Sequence, residues 1–292
     1  MEKVKIGFIG LGNMGQPMAK QLLEKEYEVY GYDISEASLN QFKANNGHPK
    51  TEIKEVLENV EVIFVSLPSP PVIEAVYFGD EGILKNAKKD LIIVDTSTVS
   101  TELNCRLEKA CAEHGVKYLG APVSGGVIGA VNGTLTFMVG GATEVLTVVR
   151  PLLEILGANI FHVGNGADSG TIIKLINNLM IGFYTQAVGE ALLLGEKMGL
   201  DPDNMYEMLN VSYGQSRIYD RNYKEYIKEE DFEPGFSNNL LLKDLKLAQQ
   251  MAEGCDMPLP IGDKLVDWYE EVVESGFGDN DMSSVYLKLK SL

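Results

Sequence analysis

Gly7-Phe8-Ile9-Gly10-Leu11-Gly12-Asn13-Met14-Gly15 decides the fold. An apolar run at residues 4–9 leads into it and a helical pattern at residues 14–25 follows it. Gly10, Gly12 and Gly15 form a G-x-G-x-x-G turn between strand and helix. Gly10 permits the tight turn, Gly12 lets backbone approach a pyrophosphate, and Gly15 lets helix pack close to strand. The N–H groups of Asn13, Met14 and their neighbours, with the positive end of the helix, would hold the phosphates. Asp33 follows Gly15 by 18 residues, at the end of the next apolar run. A carboxylate there accepts hydrogen bonds from ribose hydroxyls and repels a 2′-phosphate, so the expected cofactor is NAD rather than NADP.

Working outward, strand-like runs at residues 29–32, 60–66, 91–95, 116–119, 134–139 and 160–163 alternate with helical stretches such as 100–113 and 142–156. That alternation predicts βαβ units on a parallel sheet. After about Gly164 strand patterns cease. Residues 171–198 read as one long apolar helix closed by Gly199, and Asp201-Pro202 starts the next with an N-cap and a first-turn proline. The expectation is an α/β Rossmann domain at residues 1–164, then an all-α domain at residues 165–292, linked by a long helix.

The remaining composition narrows the function. The 292 residues exceed one typical domain, and a formal net charge of −17 without a basic run disfavours nucleic-acid binding. No apolar run reaches the ~20 residues of a membrane span, and the first residues lack a cleavage pattern, so a cytoplasmic location is expected. Three cysteines and three histidines, widely spaced, give neither a disulfide framework nor a metal-ligand signature; no metal is expected.

Two later strand ends should face the cofactor, because ligands in open parallel sheets sit at the carboxyl ends of strands. They are Ser66-Leu67-Pro68 and Asp95-Thr96-Ser97-Thr98; the second also reads as the approach to a helix start at Ser100-Thr101-Glu102. Ser124, in Ala121-Pro122-Val123-Ser124-Gly125-Gly126, lacks the G-x-S-x-G setting of a nucleophile. Its hydroxyl and the adjoining N–H groups suit carboxylate recognition, with a plain tight loop as the alternative. Lys174 and Asn178 lie four apart on the long helix, hence on one face. A lysine among Ile172, Ile173, Leu175 and Ile176 is expected to be partly desolvated, which favours its neutral form and suits it to proton transfer; a snorkelling lysine is the alternative. Lys243-Asp244, taken alone, reads as a charged helix face.

Together these segments resemble the β-hydroxyacid dehydrogenase family, typified by 3-hydroxyisobutyrate dehydrogenase. The similarity runs in order through the glycine turn, Asp95-Thr96-Ser97-Thr98, Ala121–Gly126, Gly133-Thr134-Leu135, Met138-Val139-Gly140-Gly141, Lys174 to Asn178, and Lys243-Asp244-Leu245. The resemblance implies that Lys174 transfers the proton with Asn178 beside it, and that Ser124, Gly125 and Gly126 bind a substrate carboxylate. It implies that Thr98 contacts the nicotinamide end, that Lys243 reaches toward the cofactor, that Phe236 lines the substrate pocket, and that the protein is a homodimer or homotetramer. Two positions depart from the family pattern: Gly120 replaces an acidic residue, and Asp168-Ser169-Gly170 displaces a G-x-G loop.

The expected activity is interconversion of a small 3-hydroxy acid and its semialdehyde. Within the family, the 4-hydroxybutyrate/succinic semialdehyde, tartronate semialdehyde and 2-(hydroxymethyl)glutarate reactions remain open, and so does an imine-reducing variant. A non-catalytic NAD-binding module is the reading of a different class.

Overall fold

The structure is a computed structural model that describes residues 3–292. Its internal contacts divide it into two compact units, the first ending at Lys174 and the second running from Leu175 to Leu292.

The first unit is built on nine strands: β1 (Ile6–Ile9), β2 (Val29–Tyr32), β3 (His48–Lys50), β4 (Val62–Val65), β5 (Ile92–Asp95), β6 (Lys117–Gly120), β7 (Val123–Ser124), β8 (Leu135–Gly140) and β9 (Gly157–Gly164). They lie in the order β3-β2-β1-β4-β5-β6-β8-β7, with β9 paired to β8. Pairing is parallel from β3 through β6, as the alternating pattern predicted. It departs at β8, which runs antiparallel to β6 and β7. The link from Ser124 to Leu135 is too short for a parallel crossover, so the chain turns back.

β1, β4 and β5 are buried on both faces, which explains their apolar sequences, broken only by the buried Asp95 at the end of β5. Alternate residues serve opposite layers. Phe8 and Phe64 stack at 5.0 Å on the face covered by α1 (Gly15–Glu24) and α8 (Thr143–Leu156). Ile9, Ile63 and Ile93 face the opposite side with Val56 of α3 (Ile53–Leu57), Tyr77 of α4 (Pro70–Phe78), Ile83 of α5 (Ile83–Asn86) and Leu107 of α6 (Thr101–Glu113). Ser35 caps α2 (Glu36–Ala44) and Ser100 caps α6, each hydroxyl accepting from an amide three residues on.

α9 (Asp168–Lys197) carries the chain from the first unit into the second, starting three residues before the expected 171. The second unit is helical, as its lack of strand patterns predicted. Asp201 accepts from the amide of Asn204 at 3.0 Å and caps α10 (Pro202–Asn210), with Pro202 in the first turn. α11 (Arg217–Arg221), α12 (Asn238–Glu253), α13 (Gly262–Val272) and α14 (Val285–Lys290) follow. A π-helical turn at Asn222–Ile227 and a kink at Gly276, whose φ is +92°, had no signal in the sequence pattern. Leu241 and Leu245 of α12 pack with Leu265 and Tyr269 of α13 to form one core of this unit. Among the described residues no helix is long and apolar enough to cross a membrane.

Candidate functional site

The glycine turn of the first unit separates into positions that pack and a position that is open. A Cβ on Gly10, whose φ is +94°, would stand 2.2 Å from the Ser66 carbonyl oxygen. One on Gly15 would stand 2.0 Å from the Gly10 carbonyl. One on Gly12 would meet nothing within 4 Å. Gly10 and Gly15 therefore make the turn, while Gly12 leaves space in front of it. Asn13 is exposed and Met14 half-buried beside that space. No side chain caps the start of α1; the Gln16 amide is taken by the Gly12 carbonyl at 3.0 Å and Pro17 has none, so an anion would be met by the amides of the turn just before them. An uncapped helix start behind a side-chain-free gap fits a dinucleotide pyrophosphate.

Asp33 stands just past β2. Its Oδ2 accepts from the Leu11 amide at 2.7 Å and its Oδ1 from the Ser35 amide at 2.8 Å. The carboxylate is thus tied to the glycine turn itself and keeps lone pairs for a diol. At the next strand ends the Leu67 amide donates to Ser97 Oγ at 3.0 Å, which joins the turns after β4 and β5. Ser97 is therefore not a helix cap; Ser100 has that role. Pro68 is exposed and Thr98 half-buried beside them.

Ser124 pairs with Thr136 on the short antiparallel ladder. Gly125 and Gly126 then take φ of +125° and +61° and lead into α7 (Gly126–Asn132), which also lacks a side-chain cap. A Cβ on Gly126 would meet nothing within 4 Å.

Lys174 is half-buried, two turns into α9. The apolar run around it does not enclose it evenly: Leu175 is buried, but Ile173 and Ile176 are 40% and 43% exposed. The helix start is seated on the sheet, since a Cβ on Gly170 would stand 2.0 Å from the Met138 carbonyl. Of the two family departures, Gly120 is sterically fixed, because a Cβ there would stand 2.3 Å from the Ala167 carbonyl. Asp168 lies against Cys105, whose thiol pKa is raised first by partial burial and then by that carboxylate.

In the second unit Asn178 is fully buried and its Nδ2 donates to Asp244 Oδ2 at 2.5 Å. Asp244 Oδ1 lies 2.9 Å from Lys243 Nζ. The supposed charged helix face is thus a cluster in which a buried carboxylate joins Asn178 to Lys243. Sequence reasoning missed Asp244. The signal was its place on the buried stripe with Leu241, Leu245 and Ala248 of α12. It also missed Asp281. That fully buried side chain accepts from the amides of Gly235 and Phe236 at 3.1 and 3.0 Å, and from both terminal nitrogens of Arg221 at 2.6 and 3.0 Å. Phe236, half-buried, owes its backbone position to Asp281. Among the described residues no cluster of His, Cys, Asp and Glu is placed to hold a metal ion.

A nucleotide cradle at the carboxyl ends of a parallel sheet, followed by a helical unit, defines a class, and comparison with known proteins sharpens it. Residues 5–164 match the NAD-binding domain of 6-phosphogluconate dehydrogenase, and residues 168–289 match the NAD-binding domain of NADP-dependent 3-hydroxyisobutyrate dehydrogenase. The 2-(hydroxymethyl)glutarate dehydrogenase of Eubacterium barkeri is 39% identical over 98% of this chain and 95% of its own. The mitochondrial 3-hydroxyisobutyrate dehydrogenase of Mus musculus is 34% identical over 99% and 88%. The solved 3-hydroxyisobutyrate dehydrogenase of Mycobacterium tuberculosis, a complex with L-serine, superposes with a TM-score of 0.90 at 30% identity, covering 99% of both chains. The class is that of NAD(P)-dependent dehydrogenases acting on a CH–OH group. Within it, the chain belongs to the β-hydroxyacid dehydrogenase family of 3-hydroxyisobutyrate dehydrogenase.

Proposed function

We propose that this protein is an NAD-dependent dehydrogenase that interconverts a small 3-hydroxy acid and its semialdehyde. The observation that carries the reading is the Ser124 turn. Its two positive-φ glycines, uncapped helix start and open space at Gly126 suit a substrate carboxylate. When bound, the nicotinamide cofactor supplies or takes the hydride.

The chain's own residues do the rest. Gly12, Asn13, Met14 and the start of α1 hold the pyrophosphate, and Asp33 binds the ribose diol. Leu67, Pro68 and Thr98 line the nicotinamide end. Ser124, Gly125 and Gly126 hold the carboxylate and so orient the carbonyl. As the carbonyl is reduced, Lys174 Nζ gives its proton to the oxygen; in the oxidative direction neutral Lys174 takes the hydroxyl proton. In the helical domain, residues 165–292, Asn178 orients the reacting groups, Lys243 serves the cofactor and Phe236 lines the substrate pocket. Exposed Ile176, Met180 and Tyr184, spaced four apart on α9, support a homo-oligomer.

The two dehydrogenases named above act, by their names, on 3-hydroxyisobutyrate and 2-(hydroxymethyl)glutarate, and both acids fit this reading. The test is a substrate panel with NADH. Semialdehydes with a free acid should exceed their methyl esters in kcat/KM by at least about tenfold, the worth of one charge-assisted hydrogen bond. Equal efficiency for acid and ester would remove carboxylate recognition and with it the 3-hydroxy acid assignment.

A further inference from the structure

One buried polar cluster of the first unit belongs to neither the nucleotide cradle nor the Ser124 turn. Asp95, at the end of β5, is buried, and its Oδ1 accepts from the Ser97 amide at 2.9 Å. Its Oδ2 accepts from the Tyr77 hydroxyl at 2.8 Å and lies 3.4 Å from the Tyr118 hydroxyl. Tyr118 has one proton to give, and Asn104 Oδ1 is nearer, at 2.8 Å. Asn104 Nδ2 in turn donates to Thr171 Oγ1. Tyr77, Tyr118, Asn104 and Thr171 are all buried.

The cluster therefore reaches from the turn after β5 across β6 and α6 to the first turn of α9. Thr171 stands three residues before Lys174, so the two share one helix face. The tether acts where the helix is seated closest. The Gly120 position has no room for a side chain, because Ala167 O and Asn104 Oδ1 would lie 2.3 and 2.9 Å from its Cβ. The Asn104 amide crosses the gap over this glycine. Ser97, the other end of the cluster, holds the Leu67 amide. Two hydrogen-bond chains that abut where the Tyr118 hydroxyl lies 3.4 Å from Asp95 thus serve the strand-end turns assigned to the cofactor and the helix that bears the proposed proton donor.

We propose that Asn104 and Thr171 are positioning residues: the Tyr118–Asn104–Thr171 chain sets the first turn of α9 on the sheet and so places Lys174 for proton transfer. This rests on the reading of Lys174 as the donor. Reacting groups tolerate misplacement poorly, and an error near 1 Å costs up to about 100-fold. Removing one partner alone would leave a buried group unpaired and endanger the fold, whereas replacing both Asn104 and Thr171 by apolar groups of similar shape is nearly neutral for stability, because the Tyr118 hydroxyl then turns its proton to Asp95 Oδ2, 3.4 Å away.

The test is the double variant Asn104→Leu/Thr171→Val beside Thr171→Ser, with Lys174→Ala run in parallel. The double variant should keep its melting temperature and its KM for NADH while kcat falls by roughly 10- to 100-fold. Thr171→Ser, which retains the acceptor, should keep kcat within about twofold, since the hydrogen bond survives. Hydrogen exchange of the amides in the first two turns of α9 should quicken in the double variant alone. Wild-type kcat in the double variant, with low kcat in Lys174→Ala, would overturn the positioning role by itself. Wild-type kcat in Lys174→Ala would remove the donor reading and this proposal with it.

Discussion

The two units make their carboxylates work in opposite ways. Asp33 in the first is half-buried and is held by two backbone amides, those of Leu11 and Ser35. Asp281 in the second is fully buried and is held by the Arg221 guanidinium and the Gly235 and Phe236 amides, all from distant segments, and by the amide and hydroxyl of Ser283 two residues on. The first unit shapes its pyrophosphate cradle from backbone, with glycines deciding where atoms can approach. The second fixes its candidate residues with side-chain cross-links that only the folded chain assembles. A backbone site survives most side-chain changes but no added Cβ at the wrong place. A cross-linked one depends on every partner, because a buried charge without its partner is costly.

The largest stability effect should therefore fall in the second unit. Asp281→Ala leaves the half-buried Arg221 guanidinium with Asn222 but no carboxylate, and releases the amides of Gly235 and Phe236. Loss of a buried partner costs about 3–5 kcal/mol, read as a lower urea midpoint. A loss under about 1 kcal/mol, the range of a surface ion pair, would erase the contrast between the units.

Within the first unit, the contrast sharpens between two glycines of one motif. Gly15→Ala drives a Cβ into the Gly10 carbonyl and should lower stability by about 1–3 kcal/mol, the usual cost of overpacking. Gly12→Ala meets open space, so melting should stay unchanged while NADH affinity falls. Calorimetric melting with NADH titration checks both. Equal melting losses would mean that Gly12 packs rather than admits a pyrophosphate.

A smaller effect is expected at Asp33. Asp33→Ser removes the charge that opposes a 2′-phosphate, so the ratio of kcat/KM for NADH over NADPH should shrink by about tenfold or more, about 1.4 kcal/mol. An unchanged ratio would place cofactor choice elsewhere.

The same difference explains what the sequence revealed. The glycine turn and Asp33 are legible because their partners lie within about two dozen residues, at spacings that the strand-turn-helix path dictates. The long helix was legible from its apolar length and from Gly199. Asp244 and Asp281 were not. Their partners Asn178 and Arg221 are 66 and 60 residues away, and no local rule separates a buried aspartate from a solvated one. Lys243-Asp244 looked like a solvated face until the fold placed Asp244 on the buried stripe. The antiparallel turn at β8 escaped notice because strand periodicity carries no direction.

The most direct test of the account is the hydride-transfer rate of Lys174→Ala, followed by stopped-flow absorbance of NADH with a saturating acid semialdehyde. Positioned proton transfer contributes about 10²–10⁴-fold, roughly 3–5 kcal/mol of barrier. The rate should fall by at least about 100-fold with NADH affinity nearly intact, and Lys174→Arg should rescue little, because its guanidinium does not release its proton near neutral pH. A variant that transfers hydride at close to the wild-type rate would contradict it and return Lys174 to the role of a snorkelling helix lysine.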